Sequence, residues 1–167
     1  MAIQERFNLI TDRTQDDADR LMALLRKGSG QWSDAERAAF IQASNKGAYN
    51  ASDLNRVQDA MEYIADRLAQ YGCHVPELPR PSVSGRDYWK ISDTPTLEQL
   101  AQYRANVAAI RESISVLRST PSVPADMEHL TPTQANHIEQ ILIDVDLLLT
   151  NMTQSWFYAG DLYAGEV

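Results

Sequence analysis

The chain has 167 residues and a formal charge of −8, and a length of this order corresponds to a single domain. Hydrophobic residues make up 44% and charged residues 23%, values that are ordinary for a folded protein and that argue against disorder and collagen. No apolar run approaches the roughly 20 residues of a membrane helix, and the first residues lack the pattern of a secretory signal. The one cysteine, Cys73, excludes an internal disulfide and a four-cysteine zinc site.

The acidic balance is concentrated at one end of the sequence. Residues 121–167 contain no Lys or Arg and seven acidic side chains. Because an acidic chain repels phosphate backbones on average, nucleic acid is not expected as a partner.

Residues 1–13 are predicted to form an extended N-terminal arm. Phe7, Leu9 and Ile10 supply its apolar side chains, but this span is too short to build a sheet by itself. We expect these three residues to contact a partner.

Residues 14–72 are predicted to hold three helices. Thr14 can cap the first helix, which runs to about Lys27, and the sequence from Ser33 to Glu36 is a capping pattern for a second, shorter helix. The second helix is expected to turn Ala39, Phe40 and Ala43 inward. Asn50 or Ser52 can cap the third helix, and Gly72 follows it. Its apolar residues, spaced three and four apart, are Leu54, Val57, Met61, Ile64 and Leu68.

Residues 73–95 form a proline-rich connection in which no helix is expected. This connection contains Tyr88 and Trp89, which a fully solvated linker seldom needs. We therefore expect part of it to lie on the helical body with both rings tucked in.

Residues 96–157 are predicted to hold two more helices. The fourth helix begins near Pro95 or Thr96, with Pro95 suited to its first position. Its apolar positions are Leu97, Leu100, Tyr103, Val107, Ile110, Ile114 and Leu117. Thr131 can cap the fifth helix, with Pro132 as its first residue. The fifth helix has the broadest apolar stripe, which predicts a central position: Ile138, Ile141, Leu142, Val145, Leu147, Leu148, Leu149, Met152 and Trp156.

Residues 158–167 form a C-terminal aromatic tail, and Gly160 and Gly165 argue against a continued helix there. Two interpretations of this region stay open: its rings complete the core, or they dock on a neighbouring chain, where aromatic residues are enriched. The candidate contact residues at this end are Trp156, Phe157, Tyr158, Leu162 and Tyr163.

Motifs for catalysis or cofactor binding are weak. Asp126 and His129 have a spacing used in di-iron bundles, but such sites need that spacing twice, and no metal site, catalytic residue or cofactor is predicted. Asp144 and Asp146 are interpreted as a solvated face that can approach a subunit contact. The remaining charge cluster is loose and consists of Arg80, Arg86 and Lys90; it is a weak anion-site candidate or an internal counterpart of the acidic C-terminal segment.

Several segments together resemble a structural protein family from the tail region of tailed phages and prophages of Gram-positive bacteria. The segments are FNLITDRT (7–14), KGAYNASDLNRV (46–57), MEYIADRL (61–68), DTPT (93–96), YRANV (103–107) and NMTQSWFYAGDLYAGE (151–166). They span almost the whole chain. The resemblance implies a virion protein of the baseplate, tail tip or fibre, without catalytic residues.

The sequence thus predicts an all-α fold: a bundle of three long antiparallel helices and two short N-terminal helices in one domain, with extended N- and C-terminal arms. The expected function is that of a non-enzymatic phage tail protein, made in the host cytoplasm and located in the virion. Its expected partners are other tail proteins and copies of itself, in trimers or multiples of three. The alternative is a cytosolic adaptor or inhibitor that binds a basic partner surface through residues 121–167.

Overall fold

The computed structural model describes the backbone of residues 1–41 and 46–163, and the side chains of these residues up to Ser155. Helices dominate this part of the chain, which confirms the all-α prediction. The helices are α1 (Ile3–Phe7), α2 (Gln15–Lys27), a 3-10 turn (Ser29–Gln31), α3 (Asp34–Ile41), α4 (Ala51–Gln70), α5 (Leu97–Glu112) and α6 (Pro132–Tyr163). Among the described residues, the one β-type pairing is an isolated bridge between Val83 and Arg86.

The helix starts follow the capping residues in the sequence. The Thr14 side chain accepts a hydrogen bond from the Asp17 backbone N–H at the start of α2, and Asn50 caps α4 in the same manner. Thr131 accepts from the Gln134 N–H at the start of α6, as predicted. The fourth helix begins near Pro95 and Thr96, as predicted, but Thr96 is its cap and Leu97 its first residue, so Pro95 does not hold the first helical position.

The core lies between α4, α5 and α6, each of which contacts the other two. All five predicted apolar residues of α4 are buried, from Leu54 to Leu68. Helix α6 also contacts α1, in agreement with its predicted central position. The fourth helix is shorter than predicted, because α5 ends at Glu112. The hydroxyl of the next residue, Ser113, donates a hydrogen bond to the Ile110 carbonyl. Leu117 therefore lies outside any helix and is exposed.

Helices α4 and α6 run in the same direction. Arg56, near the start of α4, binds Glu139 near the start of α6, and Arg67 near the end of α4 binds Asp146 further along α6. The antiparallel arrangement is therefore wrong for this pair. The long segments 71–96 and 113–131 make the parallel arrangement possible, because each lets the chain travel back before the next helix begins.

The proline-rich connection lies partly on the body, as predicted. Trp89 is buried, and the Asn55 side chain both accepts from the Trp89 N–H at 2.8 Å and donates to the Trp89 carbonyl at 2.9 Å. The expectation that Tyr88 is also tucked in is wrong, since Tyr88 is 44% exposed. In this connection Tyr88 instead lies beside Arg86 and Lys90.

Helices α2 and α3 form a small hairpin. Trp32 stacks on Phe40 with ring centroids 4.8 Å apart, and its indole N–H donates to the Leu24 carbonyl at 2.9 Å. Phe40 is partly buried by this contact, whereas the predicted inward residue Ala43 lies outside the described residues. Within the described ranges, no helix is long and apolar enough to span a bilayer.

Candidate interaction surface

The N-terminal residues predicted to contact a partner pack on their own chain in this structure, and their contact with a partner stays a prediction. Leu9 is 5% exposed, and the Phe7 ring lies 5.6 Å from that of Tyr63 on α4. Ile10 is half-buried, and its backbone N–H donates to Glu139 at 2.6 Å. The prediction of an extended arm is wrong for residues 3–7, which form α1, because the apolar side chains of this segment are buried against α4 and α6.

The C-terminal contact residues lie on a helix whose extent was not predicted. Helix α6 continues through Gly160 to Tyr163, so the expected end of the helix before residue 158 is wrong. One glycine costs a helix only about 1 kcal/mol, which is too little to end a helix of this length. The side chains of Trp156, Phe157, Tyr158, Leu162 and Tyr163 lie outside the described side chains, as does all of segment 164–167 with Gly165.

Three buried charges and the partly buried Arg56 form an ion cluster that joins the N-terminal segment to α4 and α6. Arg13 binds Asp53 at 2.8 Å and Glu139 at 2.6 Å. Arg56 binds the same two carboxylates, at 2.8 Å in the case of Glu139. The side chains of Arg13, Asp53 and Glu139 are at most 3% exposed. Two cations and two anions therefore neutralise one another inside the protein.

Backbone contacts complete this ion cluster. The Asn136 side chain accepts from the Arg13 N–H at 3.0 Å and donates to the Arg13 carbonyl at 2.9 Å. The Arg13 guanidinium also donates to the Ile10 carbonyl. These contacts fix the path of residues 10–13 across α4 and α6. The cluster therefore has a structural role: it holds the N-terminal segment on α4 and α6.

A pair of tyrosines connects α5 to the same region. The Tyr49 and Tyr103 hydroxyl oxygens are 2.6 Å apart, and the Arg13 guanidinium lies 5.4 Å from the Tyr49 ring centroid. Tyr49 as a residue is half-buried, whereas its hydroxyl is enclosed. Burial raises the pKa of both hydroxyls well above 10, and the nearby charge of Glu139 adds to this rise. Both tyrosines therefore remain neutral donors and acceptors.

Sequence reasoning did not find the ion cluster. Arg13, Asp53 and Arg56 stand within the segments that carry the family resemblance, but no role was assigned to them. The available signal was the seven-residue spacing of Glu139 and Asp146, which places two carboxylates on one side of the apolar stripe of α6.

Three of the charged residues considered in the sequence, Asp146, Arg80 and Arg86, form ion pairs within the chain. Asp146 is buried and binds Arg67, so its interpretation as part of a solvated face is wrong. Arg80 binds Glu62 at 2.5 Å, and Arg86 binds Asp93 at 2.9 Å. The acidic partners of both arginines therefore lie outside the C-terminal segment. His74 and His129 are exposed, and the part of the chain that the structure describes contains no group of three or more side chains able to hold a metal.

A groove of the described surface lies beside α1, between the second half of α4 and the middle of α6. It has a volume of about 810 Å³. Tyr63 and Tyr71 contribute aromatic rings to its walls, and Leu147, which is 53% exposed, contributes an aliphatic side chain. The guanidinium carbon of Arg67 lies 6.0 Å from the Tyr63 ring centroid and 5.8 Å from the Tyr71 ring centroid. Polar and charged side chains, Asp66 and Gln70 among them, share the lining with these apolar groups, and protein-binding surfaces combine the two kinds.

Comparisons of the chain with models of protein families, with curated proteins and with solved structures find no match in any of the three.

Proposed function

We propose that this chain is a non-enzymatic structural protein of a bacteriophage tail, in the baseplate, tail tip or fibre. It assembles by protein–protein contact with other tail proteins and with copies of itself, in a trimer or a multiple of three. It is made in the host cytoplasm and resides in the virion. Nucleic acid and membrane take no part in this assembly.

The observation that carries the proposal is the length of α6. At about 1.5 Å per residue, its 32 residues measure about 48 Å, against about 30 Å for the 20 residues of α4. Because α4 and α6 are parallel and Arg67 is level with Asp146 and Thr150, α6 continues past the end of α4. The continuation has the sequence WFYAGDLY at residues 156–163, which supplies apolar and aromatic groups suited to a protein contact.

The ion cluster supports a scaffold role over an enzymatic one. Its two carboxylates and Arg13 are enclosed and are bound within the cluster, so these groups serve to hold helices together. A rigid body with a projecting helix is the form expected of an assembly component.

The adaptor alternative has less support. Two of the seven acids of residues 121–167, Glu139 and Asp146, are neutralised within the chain by arginines. Of the other five, Asp126 and Glu128 are exposed and Asp144 accepts a hydrogen bond from Gln140, whereas Asp161 and Glu166 lie outside the described side chains.

Particle composition tests the proposal. Mass spectrometry of purified phage particles should detect the chain, and deletion of residues 158–167 should remove it from particles while the purified protein keeps its helical circular dichroism. Tyr88→Ser, which alters an exposed ring elsewhere, is the control and should leave incorporation unchanged. A chain that is soluble in the host and absent from particles would support the adaptor.

A further inference from the structure

A small cavity lies where the proline-rich connection crosses the start of α4. It has a volume of about 140 Å³. Leu54 and Trp89 in its walls are buried, whereas Ile91 is 49% exposed, so the lining runs from the interior to the surface. The apolar and aromatic part of this lining consists of Tyr49, Ala51, Leu54, Trp89, Ile91 and Pro95.

Hydrogen bonds hold two aromatic walls of the cavity in place. The Tyr49 hydroxyl lies 2.6 Å from the Tyr103 hydroxyl, and the Asn55 side chain binds the backbone N–H and carbonyl of Trp89 at 2.8 and 2.9 Å. The cavity is therefore formed before any occupant arrives. A preformed site binds more tightly, because no side chains have to be ordered on binding.

The polar groups of the lining leave one positive charge unpaired. Asn50 caps α4 with its side chain, and the Asp93 carboxylate accepts hydrogen bonds from Arg86 at 2.9 Å and from the Lys90 backbone N–H at 2.7 Å. Among the described residues, no carboxylate forms an ion pair with the Lys90 ammonium group. Because Arg86 neutralises Asp93, the Lys90 charge stays available to an anion beside the cavity.

The volume of the cavity limits what it can hold. Pockets for cofactors and metabolites usually measure about 300–1,000 Å³, which is well above the volume of this cavity. A cavity of about 150 Å³ holds one benzene ring. One aromatic side chain therefore fills this cavity, as anchor side chains fill pockets at the centre of protein interfaces.

A wider hollow adjoins the cavity and shares part of its lining. The hollow extends along α4 to Arg56 and Asp59. Both of these charges are paired within the chain, Arg56 with Glu139 and Asp59 with Arg80. Of the described charged side chains that line either depression, Lys90 is thus the one without an ion pair.

We propose that the cavity is an anchor site for a segment of a partner protein, which inserts one phenylalanine side chain and places an aspartate or glutamate beside Lys90. The benzene-sized ring matches the volume of the cavity, and the carboxylate matches its unpaired charge. The backbone of the segment continues over the hollow, where the charges of α4 are already neutralised.

Binding of short blocked peptides to the full chain tests this site by nuclear magnetic resonance. Acetyl-Gly-Phe-Asp-Gly-amide should shift the backbone amide signals of Ala51 and Ile91. Replacement of its aspartate by asparagine should weaken binding by threefold or more, and replacement of its phenylalanine by alanine should abolish binding. Phenylacetate, which has the ring and the carboxylate but no peptide backbone, should bind more weakly than the Phe-Asp peptide.

Variants of the chain test the two recognition elements separately. Lys90→Glu should weaken binding of the Phe-Asp peptide by tenfold or more, whereas Arg26→Glu makes the same charge change at an exposed residue of α2 and should have no effect. Ala51→Leu fills the cavity and should abolish binding. Its control is Ala105→Leu at an exposed position of α5. Circular dichroism checks that all four variants keep their helices.

Several results would overturn the inference. These are a Phe-Asp peptide that shifts no signals, an asparagine peptide that binds equally well, binding unchanged by Lys90→Glu, and phenylacetate that binds more tightly than the peptide.

The inference goes beyond the tail proposal and can fail separately from it. A chain found in particles that binds none of the peptides would overturn the anchor site and leave the tail proposal standing. A chain that binds the Phe-Asp peptide and is absent from particles would do the reverse.

Discussion

The Arg13 guanidinium lies 2.6 Å from a carboxylate oxygen of Glu139, although the two residues are 126 positions apart in the chain. This bond joins the segment before α2 to the middle of the core. The N-terminal segment is therefore held by buried charge pairing in addition to its apolar contacts.

Removal of Arg13 should be strongly destabilising. Arg13→Met leaves Glu139 and Asp53 buried with Arg56 as their one remaining cation, and loss of one partner from a buried pair costs about 3–5 kcal/mol. Lys46→Met is the control, because the Lys46–Asp12 pair is exposed and worth less than about 1 kcal/mol. Urea unfolding measures both losses, and equal losses would contradict a structural role for the cluster.

The two tyrosine hydroxyls should be energetically coupled. Tyr103→Phe leaves the enclosed Tyr49 hydroxyl without its partner at 2.6 Å, at a cost of about 1–3 kcal/mol in the free energy of unfolding. The double variant Tyr49→Phe with Tyr103→Phe should lose less than the sum of the single variants, because no unpaired hydroxyl remains. Strict additivity in this cycle would show that the hydroxyls do not interact.

Gly47 should not tolerate a side chain. A Cβ atom there would lie 2.2 Å from the Asp17 carbonyl oxygen and 2.9 Å from the Leu21 Cβ, so backbone would have to move. Gly47→Ala should cost about 1–3 kcal/mol, as overpacking does. A Cβ at Gly30 meets nothing within 4 Å, so Gly30→Ala should be neutral or slightly stabilising in the same thermal unfolding assay.

Acid should loosen the α2–α3 hairpin through Glu36. The Ser33 backbone N–H donates to this carboxylate at 2.6 Å and Lys27 pairs with it at 3.0 Å, which lowers the Glu36 pKa to about 2. Since the folded pKa is depressed, the stabilisation is complete above the ordinary value of 4.5, declines as pH falls below it, and is lost below about 2.

Nuclear magnetic resonance measures this titration directly. The Glu36 carboxyl should titrate near pH 2, and Glu36→Gln should shift the Trp32 indole resonance at pH 6 but not below pH 2. A midpoint near 4.5 would show that the Ser33 and Lys27 contacts do not persist in solution.

Local signals made the helix starts predictable. The Thr14 and Thr131 hydroxyls each accept a hydrogen bond from the backbone N–H three residues later, so a short stretch of sequence is enough to predict these caps. The end of α5 was missed because its apolar spacing continues to Leu117 after the backbone has left the helix. Pairings between distant segments were also missed: neither the Arg13–Glu139 bond nor the common direction of α4 and α6 has a local signature.

The length of α6 beyond the end of α4 can change in whole helical turns, because α6 is one continuous helix to Tyr163. An insertion of seven residues after Ser155 would lengthen the helix by about 10.5 Å and turn its tip by only about 20°. An insertion of five residues would turn the tip by about 140°, at 3.6 residues per turn. Insertions in two-turn steps would therefore lengthen α6 while its tip keeps nearly the same orientation.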